Sequence, residues 1–448
     1  MASWLQRAYW STFTLWHTGY ERHLPYQPLS KILSLQNRRL QCMVAHAYKT
    51  VPYYREIMDQ AGMRPEDFRA ADDLASLPLL TREQVAREPE RFVSNRHKRE
   101  RGIYLDSSGT SGHIRRVYYD RTALLLSLVQ GHRQRLVLSS FVGKTFGYRE
   151  AVVVISTSIS PELRRFYESY TWTPQVLDLS RAVITFDNSS LADIVAQLNA
   201  FQPDVILGYG SFLGAVYRWA SEQEVPIVRP KAIVYGADHM AEADRQLIET
   251  VYGIPVLSNY QAVEALRIAF QCEQRAGFHV SLDAVSVRVV DDSGATLGPG
   301  KVGHLVLSNL TNRATVLLNY MLGDMVKWSP SVCSCGRTLP TLEGIDGRSD
   351  DWIMLPDGRR LHAMTVLEPF DKGIPGLIQV QLIQESLHSF LLRVVCTRET
   401  AWEPMRQRLE AALRPLLKRH SSFIIERVET IPPGPGGKVR AVISYCQP

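Results

Sequence analysis

From residue 151 to residue 264 the chain alternates short apolar runs with helix-patterned stretches. "AVVVIS" precedes "PELRRFYESY", "LADIVAQLNAF" precedes "DVILGYG", "LGAVYRWASE" precedes "AIVYGAD", and "MAEADRQLIETVYG" leads to "PVLSNYQAVE". Strands alternating with helices require crossover connections, so this stretch predicts an α/β sheet. From about residue 280 the pattern changes to hairpins, "VSVRVVDDSGATL" and "GHLVLSNL", with Asp292, Ser293 and Gly294 as turn residues. After "GRSDD" (347–351) come "IQVQLIQ", "SFLLRVVC", a helix in "EPMRQRLEAALRPLLKRH" and a glycine-rich loop before "VRAVISY". At 448 residues the chain exceeds one ordinary core. The reading is an α/β protein: a large N-terminal domain, residues 1–349, with α/β sheets and a β-rich subdomain, and a small α+β C-terminal domain, residues 350–448.

Upstream, residues 30–48 read as a helix and "VPYYREIMDQAG" as a second one entered through Pro52. Thr81 with Gln84 three residues on gives a capping-box start for another. Trp4, Tyr9, Phe13, Trp16 and Tyr20 follow a loose helical spacing. Such a helix is expected to pack on its own domain, with a membrane surface as the alternative support. The N-terminus lacks a signal-peptide pattern, and no segment approaches a transmembrane span. An apolar share of 45% with 21% charged residues is ordinary for a soluble protein. A net charge of +6 is mildly basic. Its densest run, Arg96 to Gly102, reads as a solvated turn, and the absence of a reader motif or long basic stripe argues against nucleic acid. Six cysteines in this length do not form a disulfide framework, which fits the cytoplasm.

The stretch "DSSGTSGHIRR", 106–116, lies between strand candidates "GIYL" and "VYYD". Small hydroxyl residues and glycines let backbone N–H groups converge on an anion, and Arg115 and Arg116 would add charge; the other reading is a surface turn. Two stretches are decoys. "VGKTFG" ends like a phosphate-binding loop but has Leu138 where the first glycine belongs, and "YGSFLG" misses the nucleophile-elbow spacing. Cys272, His279, Cys333 and Cys335 offer three thiolates and an imidazole, which suit a closed tetrahedral zinc site; the alternative is free cysteines beside a surface histidine.

"SSGTSG", "YGAD" (235–238), "NYQAVE" (259–264), "NYMLGD" (319–324), "GRSDD" (347–351) and "PPGPGGKVR" (432–440) occur in that order. Together they resemble the superfamily of adenylate-forming enzymes: acyl- and aryl-CoA synthetases, peptide-synthetase adenylation domains and firefly luciferase. The resemblance runs from about residue 30 to the C-terminus. "LQNRRLQCMVAHAYKTVPYYREIM" and "CSCGRTLPTLEGIDGRSDD" are similar to the phenylacetate–CoA ligase branch and its capsule-biosynthesis-like relatives.

The resemblance implies roles residue by residue. Ser107, Ser108, Gly109, Thr110, Ser111 and Gly112 match the loop that holds the ATP phosphates. Gly236, Ala237 and Asp238 match the segment lining adenine, and Asn259 and Tyr260 the next one. Glu264 matches a magnesium-linked glutamate, Asp324 and Arg348 the pair on the ribose hydroxyls, and Asp350 the hinge of a mobile small domain. Lys438 matches the lysine that reaches in from that domain, on a loop freed by Gly434, Gly436 and Gly437. Tyr235, Gln261 and Val263 fall beside the acyl pocket, and Cys272, His279, Cys333 and Cys335 match a zinc set.

The implied enzyme is an AMP-forming acid–thiol ligase. It would convert a small-molecule carboxylic acid and ATP to an acyl-adenylate and pyrophosphate, then transfer the acyl group to coenzyme A. A carboxylate attacking phosphate is anion against anion, so Mg2+ near Glu264 and the Lys438 ammonium would supply the neutralising charge. The default acid is aryl or arylacetic. Three features depart from the family pattern: His113-Ile114-Arg115 after the phosphate loop, Gln261 and Val263 within "NYQAVE", and "WIMLPDGRRLHAMTV" after "GRSDD". The first bears on the usual phosphate-loop lysine and the second on the acid; the third leaves open the same adenylation with a carrier-protein phosphopantetheine or an amine as acceptor. A catalytically silent, zinc-stabilised nucleotide-binding protein is the third reading.

Overall fold

A computed structural model describes residues 2–97, 102–106, 116–172, 180–348, 352–371, 374–417, 422–434 and 438–446. Helix α1 (Trp4–His23) starts at a reciprocal cap, Ser3 accepting from the Gln6 N–H and Gln6 accepting from the Ser3 N–H. Helix α2 (Leu29–Thr50) and α3 (Pro52–Gln60) follow as predicted, α3 with proline in its first turn. Helix α4 (Arg82–Arg87) carries the predicted capping box, with Thr81 and Gln84 exchanging bonds of 2.8 and 3.3 Å.

Strands β1 (Ile103–Asp106) and β2 (Arg116–Tyr119) pair as an antiparallel ribbon. Helix α5 (Arg121–Val142) comes next. It escapes pattern reading because Gln130, Arg133 and Gln134 are buried with its apolar residues, so no polar stripe marks its outside. Gly143, in the first decoy, caps α5 with φ +84°.

The alternation then unfolds in order: β3 (Glu150–Val154), α6 (Ser160–Tyr170), β4 (Arg181–Thr185), α7 (Leu191–Phe201), β5 (Val205–Tyr209), α8 (Gly210–Glu222), β6 (Ala232–Gly236), α9 (Glu242–Thr250) and β7 (Val256–Tyr260). Their order is β4-β3-β5-β6-β7, all parallel. Strand β4 is an edge strand with half its side chains in solvent, which explains its weak sequence signal. The hairpin region supplies β8 (Ala269–Gln271), β9 (Phe278–Val280), β10 (Val285–Val290), β11 (Val302–Asn309), β12 (Tyr320–Trp328) and β13 (Thr341–Arg348). These strands continue the same sheet, because β7 pairs in parallel with β6 and antiparallel with β8.

The remaining elements are β14 (Trp352–Met354), β15 (Arg360–His362), α10 (Ala363–Asp371), β16 (Leu377–Ser386), β17 (Ser389–Cys396), α11 (Trp402–Leu417), β18 (Ser422–Arg427) and β19 (Val442–Ser444). Strands β18-β17-β16-β19 form their own sheet. Met405, Leu409, Leu413 and Leu417, one helical turn apart on α11, are buried in a separate core with Phe390, Leu392 and Val442. Arg398 in this region donates to the Glu222 carbonyl at the end of α8, at 3.2 Å.

A buried charge cluster ties α1, α2 and α5 to the segment before β10. Arg133 lies 2.5 Å from Glu21 and 2.9 Å from Asp283, and Arg39 lies 3.1 Å from Asp283. Removing the central cation leaves two buried carboxylates facing each other. Arg133→Ala is therefore expected to cost about 3–5 kcal/mol in denaturant unfolding, and a loss under about 1 kcal/mol would contradict this account of the cluster.

Candidate nucleotide site and candidate metal centre

The carboxyl ends of β5, β6 and β7 form one edge, where open α/β sheets bind ligands. Gly236 ends β6, and a Cβ there would lie 3.3 Å from the Asn259 carbonyl oxygen. Ala237 follows in the left-handed region, φ +67°. This turn delivers Asp238 to the start of α8, where the Ser211 N–H donates to it at 3.3 Å and the Ser211 hydroxyl donates as well. Ser211 belongs to "YGSFLG": that stretch holds no nucleophile elbow, but its serine positions a candidate site residue. Gly210 is required beside it, since a Cβ would meet the Tyr235 ring at 2.7 Å and the Met240 nitrogen at 2.8 Å.

Burial pushes the Asp238 carboxyl up to about 6, against the bonds from Ser211 and Gly210 and the charge of Lys438. Lys438 comes from the segment before β19, so its field reaches the edge of the large sheet. The Asn259 Oδ1 atom is buried with no hydrogen-bond partner among the described residues. An unpaired acceptor at this turn fits the amino edge of a purine.

Tyr260 ends β7 and donates its hydroxyl to Asp324 of β12 at 2.5 Å. Asp324 stands opposite Arg348 in the β12–β13 register, so the backbone brings the predicted ribose pair together. Three strands separate β7 from β12, and a flat sheet would hold them ~19 Å apart. The bond therefore shows that the sheet curls. Glu264 is buried, and its carboxylate accepts from the Tyr320 hydroxyl at 3.1 Å. The Tyr119 hydroxyl holds the neighbouring Val263 carbonyl at 2.6 Å. Tyr320 and Ser211 are the positioning residues that motif matching misses. Tyr320 lies inside "NYMLGD", where its own signal is no stronger than that of a core tyrosine.

Ser107, Ser108, Gly109, Thr110, Ser111, Gly112, His113, Arg115 and Asp350 lie outside the described residues. Strands β1 and β2 flank that loop. Arg116 is engaged at the loop's base, with two contacts of 3.0 Å to Asp106 and its guanidinium 4.0 Å from the Tyr104 ring centre. Among the acyl-pocket candidates, Tyr235 belongs to the core beneath β6 and Val263 packs in a different cluster with Tyr119 and Leu266, while Gln261 is exposed.

The ligand atoms of Cys272, His279, Cys333 and Cys335 all lie within 4.8 Å of one another. Cys272 follows β8, His279 is in β9, and the other two are in the loop between β12 and β13. The Cys272 and Cys333 sulfurs are 3.6 Å apart and Cys335 Sγ is 3.3 Å from His279 Nε2. Tetrahedral zinc with thiolate bonds near 2.3 Å sets sulfurs roughly 3.8 Å apart, so the set fits that ion, whereas a disulfide would need about 2.05 Å. His279 Nδ1 lies 2.9 Å from the Leu339 carbonyl, which leaves Nε2 facing the thiols. Burial and neighbouring thiols push Cys272 up to about 12, a cost that a cation would remove.

A phenylacetate–coenzyme A ligase of Thermus thermophilus is 28% identical over 350 residues, 75% of this chain and 74% of that one. The chain is thus similar to the phenylacetate–CoA ligase branch of the adenylate-forming enzymes. Protein CapK of Staphylococcus aureus is 20% identical over 95% of this chain and 92% of its own. Residues 353–445 match the family model of the CapK C-terminal domain. Among solved structures, 2-hydroxyisobutyryl-CoA ligase in its postadenylation state has the same fold, with a TM-score of 0.73, 17% identity, and coverage of 94% of this chain and 91% of that one.

The folded chain holds the Asp238 proton up to about pH 6, whereas the ordinary value is 3.8. Folded protein thus binds more protons than unfolded protein across that window, and this group's contribution to stability falls as pH rises through it. Asp238→Asn keeps the neutral form at every pH. Its melting temperature relative to the parent is expected to rise from pH 4 to pH 7, and a difference independent of pH would refute the assignment.

Proposed function

We propose that the chain activates a carboxylic acid with ATP and then transfers the acyl group to a thiol. The observation that carries the reading is the curled sheet that joins Tyr260 of β7 to Asp324 of β12, opposite Arg348 on β13. In the first step a carboxylate oxygen bonds to the α-phosphorus, the bond to the bridging oxygen breaks, and pyrophosphate leaves. In the second, a thiol sulfur bonds to the acyl carbon and AMP leaves.

Asn259, Gly236, Ala237 and Asp238 line the base, and Asp324, held by Tyr260, accepts the ribose hydroxyls with Arg348 across the strand pair. Ser107 to Gly112 hold the phosphates, and Lys438 brings positive charge to the reacting oxygens. Glu264, an acceptor-only carboxylate fixed by Tyr320, suits a hard cation, and Mg2+ there would neutralise phosphate charge. Residues 1–349 and 350–448 act as two domains about Asp350. The TM-score of 0.73 to the postadenylation state of the hydroxyisobutyryl ligase, against 0.61 to its thioesterification state, supports reading this arrangement as the adenylating one.

The phenylacetate–CoA ligase relatives support an aryl or arylacetic acid and coenzyme A as default substrates. The departure "WIMLPDGRRLHAMTV" after "GRSDD" keeps a second reading of the acceptor, a carrier-protein phosphopantetheine or an amine. The four-ligand set would hold a structural zinc, with no open position left for catalysis. All six cysteines are free, in keeping with a reducing cytoplasm.

Pyrophosphate release with ATP, magnesium and a panel of carboxylic acids, without thiol, tests the first step. Release with one acid that falls about a hundredfold or more in Lys438→Ala is expected. ATP binding without release from any acid would favour the silent nucleotide binder. Elemental analysis of the purified chain is expected to find one zinc, lost together with thermal stability in Cys335→Ser. A metal-free protein of equal stability would sink the zinc assignment.

A further inference from the structure

The aromatic N-terminal helix packs, but of the residues its spacing singles out Phe13 turns inward while Trp4, Tyr9, Trp16 and Tyr20 are exposed. Trp10 and Phe13 meet the cluster of Leu105, Val117, Tyr119 and Leu124, and the Arg7 guanidinium donates to the Thr171 carbonyl at 3.0 Å. Trp4, Leu5, Tyr9, Leu15 and Trp16 remain 62 to 76% exposed, and Tyr20 is exposed beside them. Leu5, Tyr9, Trp16 and Tyr20 follow at intervals of four, seven and four, so they share one outer face. Contiguous apolar exposure of this kind marks a contact surface.

The charge around it names the partner. Residues 2–55 contain seven Lys and Arg residues and one acid, Glu21, so they carry +6, the whole formal excess of the chain. Glu21 is buried against Arg133 and presents nothing to solvent. Arg22, exposed like Leu15 seven residues before it, flanks that face about 120° round α1 from Trp16, and Lys31 and Arg38 are exposed on α2. Two copies of so basic a face would repel each other. Tryptophan and tyrosine with basic residues, and no exposed acid within residues 2–55, suit the headgroup layer of an anionic bilayer.

We propose that the outer face of α1 docks this protein on an anionic membrane surface, with Leu5, Tyr9 and Trp16 in the headgroup–acyl boundary and Arg22 on lipid phosphates. No described helix is long and apolar enough to cross a membrane, so the docking is peripheral. The inference stands apart from the enzymatic reading, since none of these residues lies in the nucleotide site.

The full chain is mixed with vesicles of phosphatidylcholine alone, or with added phosphatidylglycerol, and followed by sedimentation and tryptophan fluorescence. Binding to the anionic vesicles only, weakening as salt rises, is expected. Leu5→Asp with Trp16→Asp should reduce partitioning at least tenfold with the melting temperature unchanged. Arg22→Gln, which keeps the apolar face, should weaken anionic-vesicle binding about fivefold. No vesicle binding, binding indifferent to both variants, or a solution dimer that the double variant dissociates would overturn the proposal.

Discussion

The arrangement depends on β7, where one sheet changes from parallel to antiparallel pairing. Its parallel pairing with β6 sets Gly236, Asp238 and Asn259 on the carboxyl edge. Its antiparallel pairing with β8 starts the run of short strands that curls until Tyr260 meets Asp324. Were the sheet flat, the base-lining turn and the β12 carboxylate would face solvent separately. Curvature in a sheet comes from twist accumulated over irregular pairings, and register shifts do occur in the β11–β12 and β12–β13 pairs.

Two further devices hold that geometry. The Arg133 cluster fixes the helical layer to the segment before β10, so α5 cannot shift without unpairing buried charges. The Cys–His set gathers β8, β9 and the loop between β12 and β13, the strands that form the bend. Both devices act on the curvature rather than on the nucleotide edge. The small sheet has its own core, and Arg398, after β17, donates to the Glu222 carbonyl at the end of α8. That division suits the proposed function, in which Lys438 would approach for the first step and withdraw for the second.

How far the sequence spoke depended on whether a signal was local. Strands β3, β5, β6 and β7 and helices α7 to α9 were legible because burial on both sheet faces leaves short apolar runs between amphipathic helices. The capping box at Thr81 was legible for the same reason. Helix α5 was not, since its polar residues are buried by partners elsewhere in the chain, and Glu21 lies 112 positions from Arg133. Motif order singled out Asp238, Asn259, Asp324 and Glu264 as candidates, yet it could not show that Ser211 and Tyr320 hold two of them. The metal set was visible as residue types, but only folding brings Cys333 within 3.6 Å of Cys272. The aromatics of α1 announced a helix without revealing which face would be left bare.

Calorimetric binding of AMP to the parent chain and to Asp324→Ala tests the central claim, that the curled sheet builds a nucleotide site, most directly. Loss of the charged acceptor is predicted to weaken AMP by about tenfold to a hundredfold, with near-ultraviolet dichroism unchanged. Equal affinity in the two proteins would contradict the account and place the ribose elsewhere.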